Sequence, residues 1–191
     1  MVDIQESMPD LWEQIASRYP REVRLGDTCL QLRLMGASDV DAMVDFARTL
    51  PAEDLLYLRV NITDAPVVQQ WVEGIKQART VAVLALQANQ VVGEGTLHHN
   101  TTSWTRHLGE LRIQVSPSAR RQGLARLLAN KIEVIAREFR LQLITVRMTL
   151  DQREAQSVFS RLGFQREAVL WDYAMIPDSK TRNVLVATKR L

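Results

Sequence analysis

Apolar residues recur along this chain at two alternating spacings, and the switches between them mark the elements. Near the start, Leu11, Trp12, Ile15 and Ala16 lie among charges, which predicts a short helix within residues 4–17. Glu22–Leu25 and Cys29–Leu34 alternate with period two around Gly26-Asp27-Thr28, the pattern of two strands about a tight turn. Ser38-Asp39 is placed to cap a helix carrying Val40, Met43, Val44, Phe46 and Ala47, which ends near Pro51. Pro66 suits the first turn of a second helix through Val68, Trp71, Val72 and Ile75. Thr80–Leu86, a turn at Ala88-Asn89-Gln90 and Val91–His98 read as a β-hairpin. A polar loop over 100–109 leads to an extended run, Glu110–Val115.

Behind that run, Leu124, Leu127, Leu128, Ile132, Ile135 and Phe139 recur at helical spacing and predict an amphipathic helix over about 122–139. Leu141–Met148 is β-rich. In the next segment Asp151 and Glu154 are spaced for a capping box, Ala155, Val158, Phe159 and Leu162 share one face, and Gly163 stops the helix. Strands at 168–175 and 182–189, joined through a turn at Pro177–Lys180, close the chain. This order predicts an α/β sandwich around one mixed sheet. Residues 22–191 form the domain in this reading, and residues 1–21 form an N-terminal helical extension packed on it.

Bulk properties narrow the class. A chain of 191 residues can build one substantial core, and no shift of composition argues for a second domain. The net charge of +2 is too small to argue for nucleic acid or an anionic membrane, although a pI near 8.9 permits weak attraction. The lone Cys29 excludes an internal disulfide framework and suits a reducing cytoplasm. One Cys and three His give no zinc spacing, so no metal is expected. The longest apolar run, Val81–Leu86, is far short of the ~20 residues that span a bilayer, and the first residues lack the apolar core of a secretion signal. A soluble cytoplasmic protein is the expectation.

The most legible chemistry lies in the turn between strand and amphipathic helix, Ser116–Arg126. The first turn of a helix has N–H groups without intrahelical partners and carries the positive end of the macrodipole, so it favours an anion. Arg120, Arg121 and Arg126 add formal charge, while Gly123 and the small Ala125 allow a diphosphate to approach the backbone. A glycine near a helix start also serves as a plain turn residue, and residue types alone leave both open. No Gly-Lys-Ser/Thr and no Gly-x-Gly-x-x-Gly follows a strand, which excludes the common nucleotide loops.

Arg120-Arg121-Gln122-Gly123-Leu124-Ala125 resembles the Gln/Arg-x-x-Gly-x-Gly/Ala signature of the GNAT acetyltransferases, and a second segment, Gln152–Phe164, resembles that family's Asn-x-x-Ala-x-x-x-Tyr-x-x-x-Gly-Phe. The element order from about residue 22 onward is also similar to theirs. The resemblance implies a GNAT-type sandwich with a central mixed, mostly antiparallel sheet flanked by helices, and acetyl-CoA as co-substrate. It implies that Arg120–Arg126 hold the pyrophosphate. It further implies that the backbone of Ile113, Gln114 and Val115 pairs with the pantetheine arm where a bulge splays two strands, and that Gln152 and Phe159 contact the cofactor. Tyr19–Thr28 with Leu50–Arg59 is similar to the GNAT domains of bacterial protein-lysine acetyltransferases, which suggests a protein lysine as acceptor beside small amines.

A lysine-type amine, with a pKa near ~10.4, must lose a proton before it attacks a thioester. Glu110, at the head of the strand leading to the phosphate loop, is the first candidate for that base and matches a Glu of lysine-acetylating relatives. It is equally placed to pair with Arg112. Glu94, between two glycines on the preceding strand, is the second candidate, with His98 behind it. Two positions depart from the family pattern. Its usual Asn is Gln152, and its thiolate-protonating Tyr is Phe159, which leaves Ser157, Tyr173 or water for that role or makes Phe159 a core residue. Those departures keep a second reading open, a catalytically silent acyl-CoA sensor. The arginines around the loop carry a third, a nucleic-acid binder. A homodimer is compatible with the sequence and not specified by it.

Overall fold

The computed structural model describes every residue except 1–7, 56, 57, 59, 78, 101–103 and 176–179. Residues 4–7 of the first predicted helix, most of the turn predicted at Pro177–Lys180 and parts of the 50–59 and 100–109 stretches therefore lie outside the described residues. The elements run α1 (Met8–Ala16), β1 (Arg21–Leu25), β2 (Thr28–Leu34), α2 (Val40–Thr49), α3 (Ala52–Leu55), α4 (Ala65–Lys76), β3 (Thr80–Gln87) and β4 (Gln90–His99). There follow β5 (Leu108–Val115), α5 (Leu124–Glu138), β6 (Leu143–Thr149), α6 (Arg153–Arg161), β7 (Gln165–Met175) and β8 (Thr181–Arg190). The eight strands form one open sheet in the order β1-β2-β3-β4-β5-β6-β8-β7. Every neighbouring pair is antiparallel except β5 and β6.

Alternation along β3 divides the core. Val81, Val83 and Ala85 join one cluster, with Leu97, Leu111 and the α5 residues Leu124, Leu128, Ile132 and Ile135. Ala82, Leu84 and Leu86 join the other, with Met43, Phe46, Val68 and Val72 from α2 and α4. The apolar run Val81–Leu86 is thus a central strand buried on both faces. Ile15 of α1 is fully buried in the α5-side cluster. At the β3–β4 turn both Ala88 and Asn89 have positive φ (47° and 67°), which matches the right-handed twist of a two-residue hairpin.

Several local expectations are corrected. Asp39 does not cap α2 with its side chain. The Asp39 carboxylate instead accepts from the Gly36 N–H at 2.8 Å and from Arg33 at 2.5 Å, because the buried acid needs a cationic partner more than the helix needs a cap. The Asp151–Glu154 capping box is also absent: α6 begins without a side-chain cap, Asp151 pairs with Arg182 at 3.2 Å, and Glu154 reaches Arg121 at 3.4 Å. The polar loop ends before Leu108, so Gly109 belongs to β5, where a Cβ would meet Leu97 and Leu141 at 2.7 and 2.9 Å.

Candidate active site

The strands β5 and β6 part company early. Their parallel pairing covers only Leu108–Glu110 against Leu143–Thr145, and from Leu111 and Val146 onward the two strands have no ladder between them. The expected bulge does not open this gap, because β4 and β5 stay in continuous register from Gly93↔Val115 to His99↔Gly109. The irregularity lies instead between β3 and β4, at Ala85/Leu86. The helix α5 packs across β4 and β5 and starts just beyond the end of β5.

That crossing is close because β4 carries glycines on the α5 face. A Cβ on Gly93 would sit 3.0 Å from Leu124 Cδ2, and one on Gly95 would sit 3.2 Å from Leu128 Cβ. Between the end of β5 and the start of α5, Pro117–Ala119 forms a 3₁₀ turn and the backbone then becomes left-handed at Arg121 (φ 61°) and at Gly123 (φ 89°). A left-handed backbone at a non-glycine residue such as Arg121 is strained, and such strain clusters at functional sites. The Leu127 N–H bonds to the Gly123 carbonyl at 3.0 Å, so the amides of Leu124, Ala125 and Arg126 lie in the first turn of α5, ahead of the first intrahelical acceptor. The geometry fits a diphosphate at the loop and an extended arm along the gap.

Side chains of the signature are less uniform in use than their spacing implies. Arg120 donates from Nε to the Val115 carbonyl at 3.2 Å and from Nη2 to Asp54 of α3. Gln122 donates to the Ser118 carbonyl at 2.9 Å, Arg121 reaches Glu154, and Arg126 is exposed. Leu124 is buried in the core, so only its backbone is available to a ligand. Ile113 and Val115 are partly buried against the α5-side cluster, whereas Gln114 lies opposite Glu94 in the β4–β5 register. Gln152 is turned back, its Oε1 accepting from the Thr149 N–H at 3.0 Å. Phe159 packs edge-on against Phe164 with ring centroids 5.3 Å apart, so it is a core residue at least in part.

On the other face of the same strands, Glu94, Thr96 and His98 of β4 alternate with the glycines and lie opposite Gln114, Arg112 and Glu110 of β5. Here α4 and the segment after α3 stand off the sheet and leave a cavity of about 260 Å³. Its floor holds Glu94, Thr96, His98 and Arg112; Leu58, Ile62, Val67 and Trp71 give it apolar walls. Sequence reasoning missed these walls, since α4 reads as an ordinary amphipathic helix and the 50–63 stretch has no pattern. Burial pushes the Glu94 carboxyl up from 4.5 to about 7, against the opposing hydrogen bond from Thr96 Oγ1 (2.5 Å) and the charge of Arg112. Glu110 is occupied differently: its Oε1 accepts from Arg112 Nε and Nη2 at 3.2 and 3.1 Å. His98 Nδ1 contacts the Thr80 hydroxyl at 3.0 Å. Ser157 and Tyr173 are exposed.

Residues 44–164, well over half of the chain, match the family model of the acetyltransferase (GNAT) family. The chain belongs to the GNAT acetyltransferase family. Solved structures similar to this GNAT chain share its fold at low identity. The GNAT domain of S. lividans PAT is 15% identical, with 90% of this chain and 96% of that one covered at a TM-score of 0.75. The ribosomal-protein-S5-alanine acetyltransferase of Vibrio fischeri is 17% identical, with 89% and 96% covered at 0.74. A Salmonella typhimurium structure with its cofactor acetyl-CoA is 15% identical, with 85% and 94% covered at 0.72. No curated protein matches the sequence. Among the described residues no helix is long and apolar enough to cross a membrane.

Proposed function

We propose that this GNAT protein transfers an acetyl group from acetyl-CoA to a primary amine seated in the Glu94 cavity, by direct attack in a ternary complex. The observation that carries the reading is a buried carboxyl, held near neutrality in its proton affinity, in a cavity on the strand pair whose open edge and following loop fit the cofactor. The amine arrives as an ammonium. Glu94, the second candidate from sequence, is the better-placed base, because Arg112 already holds the Glu110 carboxylate. Glu110 then positions Arg112, which together with the Thr96 hydroxyl keeps part of the Glu94 population ionised. Glu94 first takes one proton from the ammonium; the neutral nitrogen then bonds to the carbonyl carbon and loses its second proton to solvent as the carbon–sulfur bond breaks and CoA leaves as thiolate.

N–H groups of residues 111–115 that point away from β4 have no ladder partner on β6, and one of them is available to the developing oxyanion. A thiol of pKa near ~8.5 leaves tolerably as thiolate, so Phe159 in place of a hydroxyl slows the step without forbidding it. A protein lysine and a peptide α-amine are both primary amines. The neighbouring ribosomal-protein-S5-alanine acetyltransferase supports an acceptor carried on a protein, and the apolar walls of the cavity suit the stem of a lysine.

Thermal melting with acetyl-CoA, free CoA and ATP tests the cofactor. At about 100-fold excess over its dissociation constant a native-state ligand contributes ~2.7 kcal/mol, a rise of roughly 5–10 °C in a domain of this size. Both CoA species raise the midpoint and ATP does not. Release of thiol on adding lysine peptides, peptides with a free N-terminus or alkylamines then separates the enzyme from a silent sensor, which binds acetyl-CoA and acetylates none of them.

A further inference from the structure

The ion pair between Asp54 and Arg120 joins the two sides of the site. We propose that Asp54 is a positioning residue that, through Arg120, ties the wall of the amine cavity to the phosphate loop, so that binding of acetyl-CoA and ordering of that wall are one linked event. The proposal rests on the acetyl-CoA reading above and gives a role to a residue that neither signature contains.

Arg120 can serve both sides at once. A guanidinium carries five N–H donors in a planar fork. One, on Nε, goes to the carbonyl of Val115 at the end of β5, and one on Nη2 goes to Asp54. The remaining donors can meet a diphosphate oxygen without release of either contact. The partners are 66 positions apart in sequence, and among the described residues theirs is the ion pair that connects the 50–62 stretch with the loop.

From Asp54 the connection continues by backbone hydrogen bonds to the cavity. The Asp54 and Leu55 N–H groups both bond to the Pro51 carbonyl, at 3.0 and 3.2 Å, and the Leu58 N–H bonds to the Leu55 carbonyl at 3.2 Å. Leu58 is itself a wall of the cavity. A contiguous series of contacts therefore runs from the phosphate loop to the amine site, and an anion that fixes the Arg120 fork also fixes its far end. A simple surface ion pair would do less: it would add little to stability and respond to no ligand.

Hydrogen exchange at the amides of residues 54, 55 and 58, measured with and without saturating acetyl-CoA, distinguishes these. In the wild-type chain acetyl-CoA slows exchange there about tenfold. In Asp54→Asn, which keeps the shape and loses the charge, the slowing falls below twofold while calorimetry finds acetyl-CoA affinity lowered by no more than about tenfold, the size of the coupling removed. Asp54→Glu restores it. Slowing that survives in Asp54→Asn, or that disappears only together with acetyl-CoA affinity, overturns the linkage and leaves Asp54 a local support for Arg120. A wild-type chain that binds acetyl-CoA without slower exchange at these amides overturns it too, with the function standing. Failure of the wild type to bind acetyl-CoA at all removes both.

Discussion

Glu94→Gln separates the chemical role of this carboxyl from its cost to the fold. Glu94 is 3% exposed, and burial raises its pKa from 4.5 to about 7. Between those values the native protein binds a proton that the unfolded chain has released, so stability falls as pH rises through this window and the penalty is constant above it. At ~1.4 kcal/mol per pH unit, a shift of this size corresponds to a penalty on the order of 3 kcal/mol above pH 7. Glutamine stays neutral, retains an oxygen for the Thr96 hydroxyl and escapes the penalty. The melting midpoint of Glu94→Gln is therefore close to wild type near pH 4.5 and rises above it through pH 7, to a gap of roughly 6–12 °C at pH 8. The same substitution lowers turnover by about 10²–10⁴ if Glu94 is the base, and wild-type activity rises through pH 7. Differential scanning calorimetry at half-unit pH steps measures the first effect and thiol release the second. A melting gap independent of pH would refute the buried-carboxyl argument; unchanged turnover would remove Glu94 from the chemistry.

Other substitutions test the neighbouring assignments. Glu110→Gln lowers turnover less than tenfold, since it only loosens Arg112; a loss equal to that of Glu94→Gln in thiol release would return the base to Glu110. Gly95→Ala places a Cβ 3.2 Å from Leu128 and destabilises by about 1–3 kcal/mol in urea unfolding, whereas an unchanged midpoint would show that α5 can retreat. Gly123→Ala, at φ 89°, costs about 1–2 kcal/mol and weakens acetyl-CoA binding in calorimetry, because the loop amides lose their direction. Phe159→Tyr raises kcat and leaves the KM for acetyl-CoA unchanged; an unaltered kcat would mean that the thiolate leaves unaided.

Most elements were legible because their patterns are local. The hairpin at Ala88-Asn89, the amphipathic α5 and the Gly163 stop, with φ 89°, each follow from spacing and turn chemistry within a dozen residues. Caps were less legible: Asp39 bonds to Gly36 and Arg33 rather than capping α2, and Asp151 and Glu154 reach Arg182 and Arg121, cations far away in sequence. The Arg120–Ala125 loop reads from sequence as a candidate anion site, yet the engagement of Arg120 by Asp54 does not, since nothing local marks a partner 66 residues away. Glu94 ranked second in sequence for the same reason. Its distinction from Glu110 lies in burial beneath α4 and the 58–62 segment, which appears only once the sheet is assembled.

The alternation of β4 bears on how such a protein can change its substrate. Gly93, Gly95 and Leu97 face α5, and Glu94, Thr96 and His98 face the cavity, so neighbouring letters of one strand answer to different demands. Substitutions at Thr96 and His98 re-shape the cavity without touching the contact that seats α5 against the sheet, while Glu94 and its neighbour Arg112 stay fixed. Under the proposed function, a lineage, or a designer, can therefore explore new acceptors along β4 while donor recognition is inherited intact, and the two searches need not be run together.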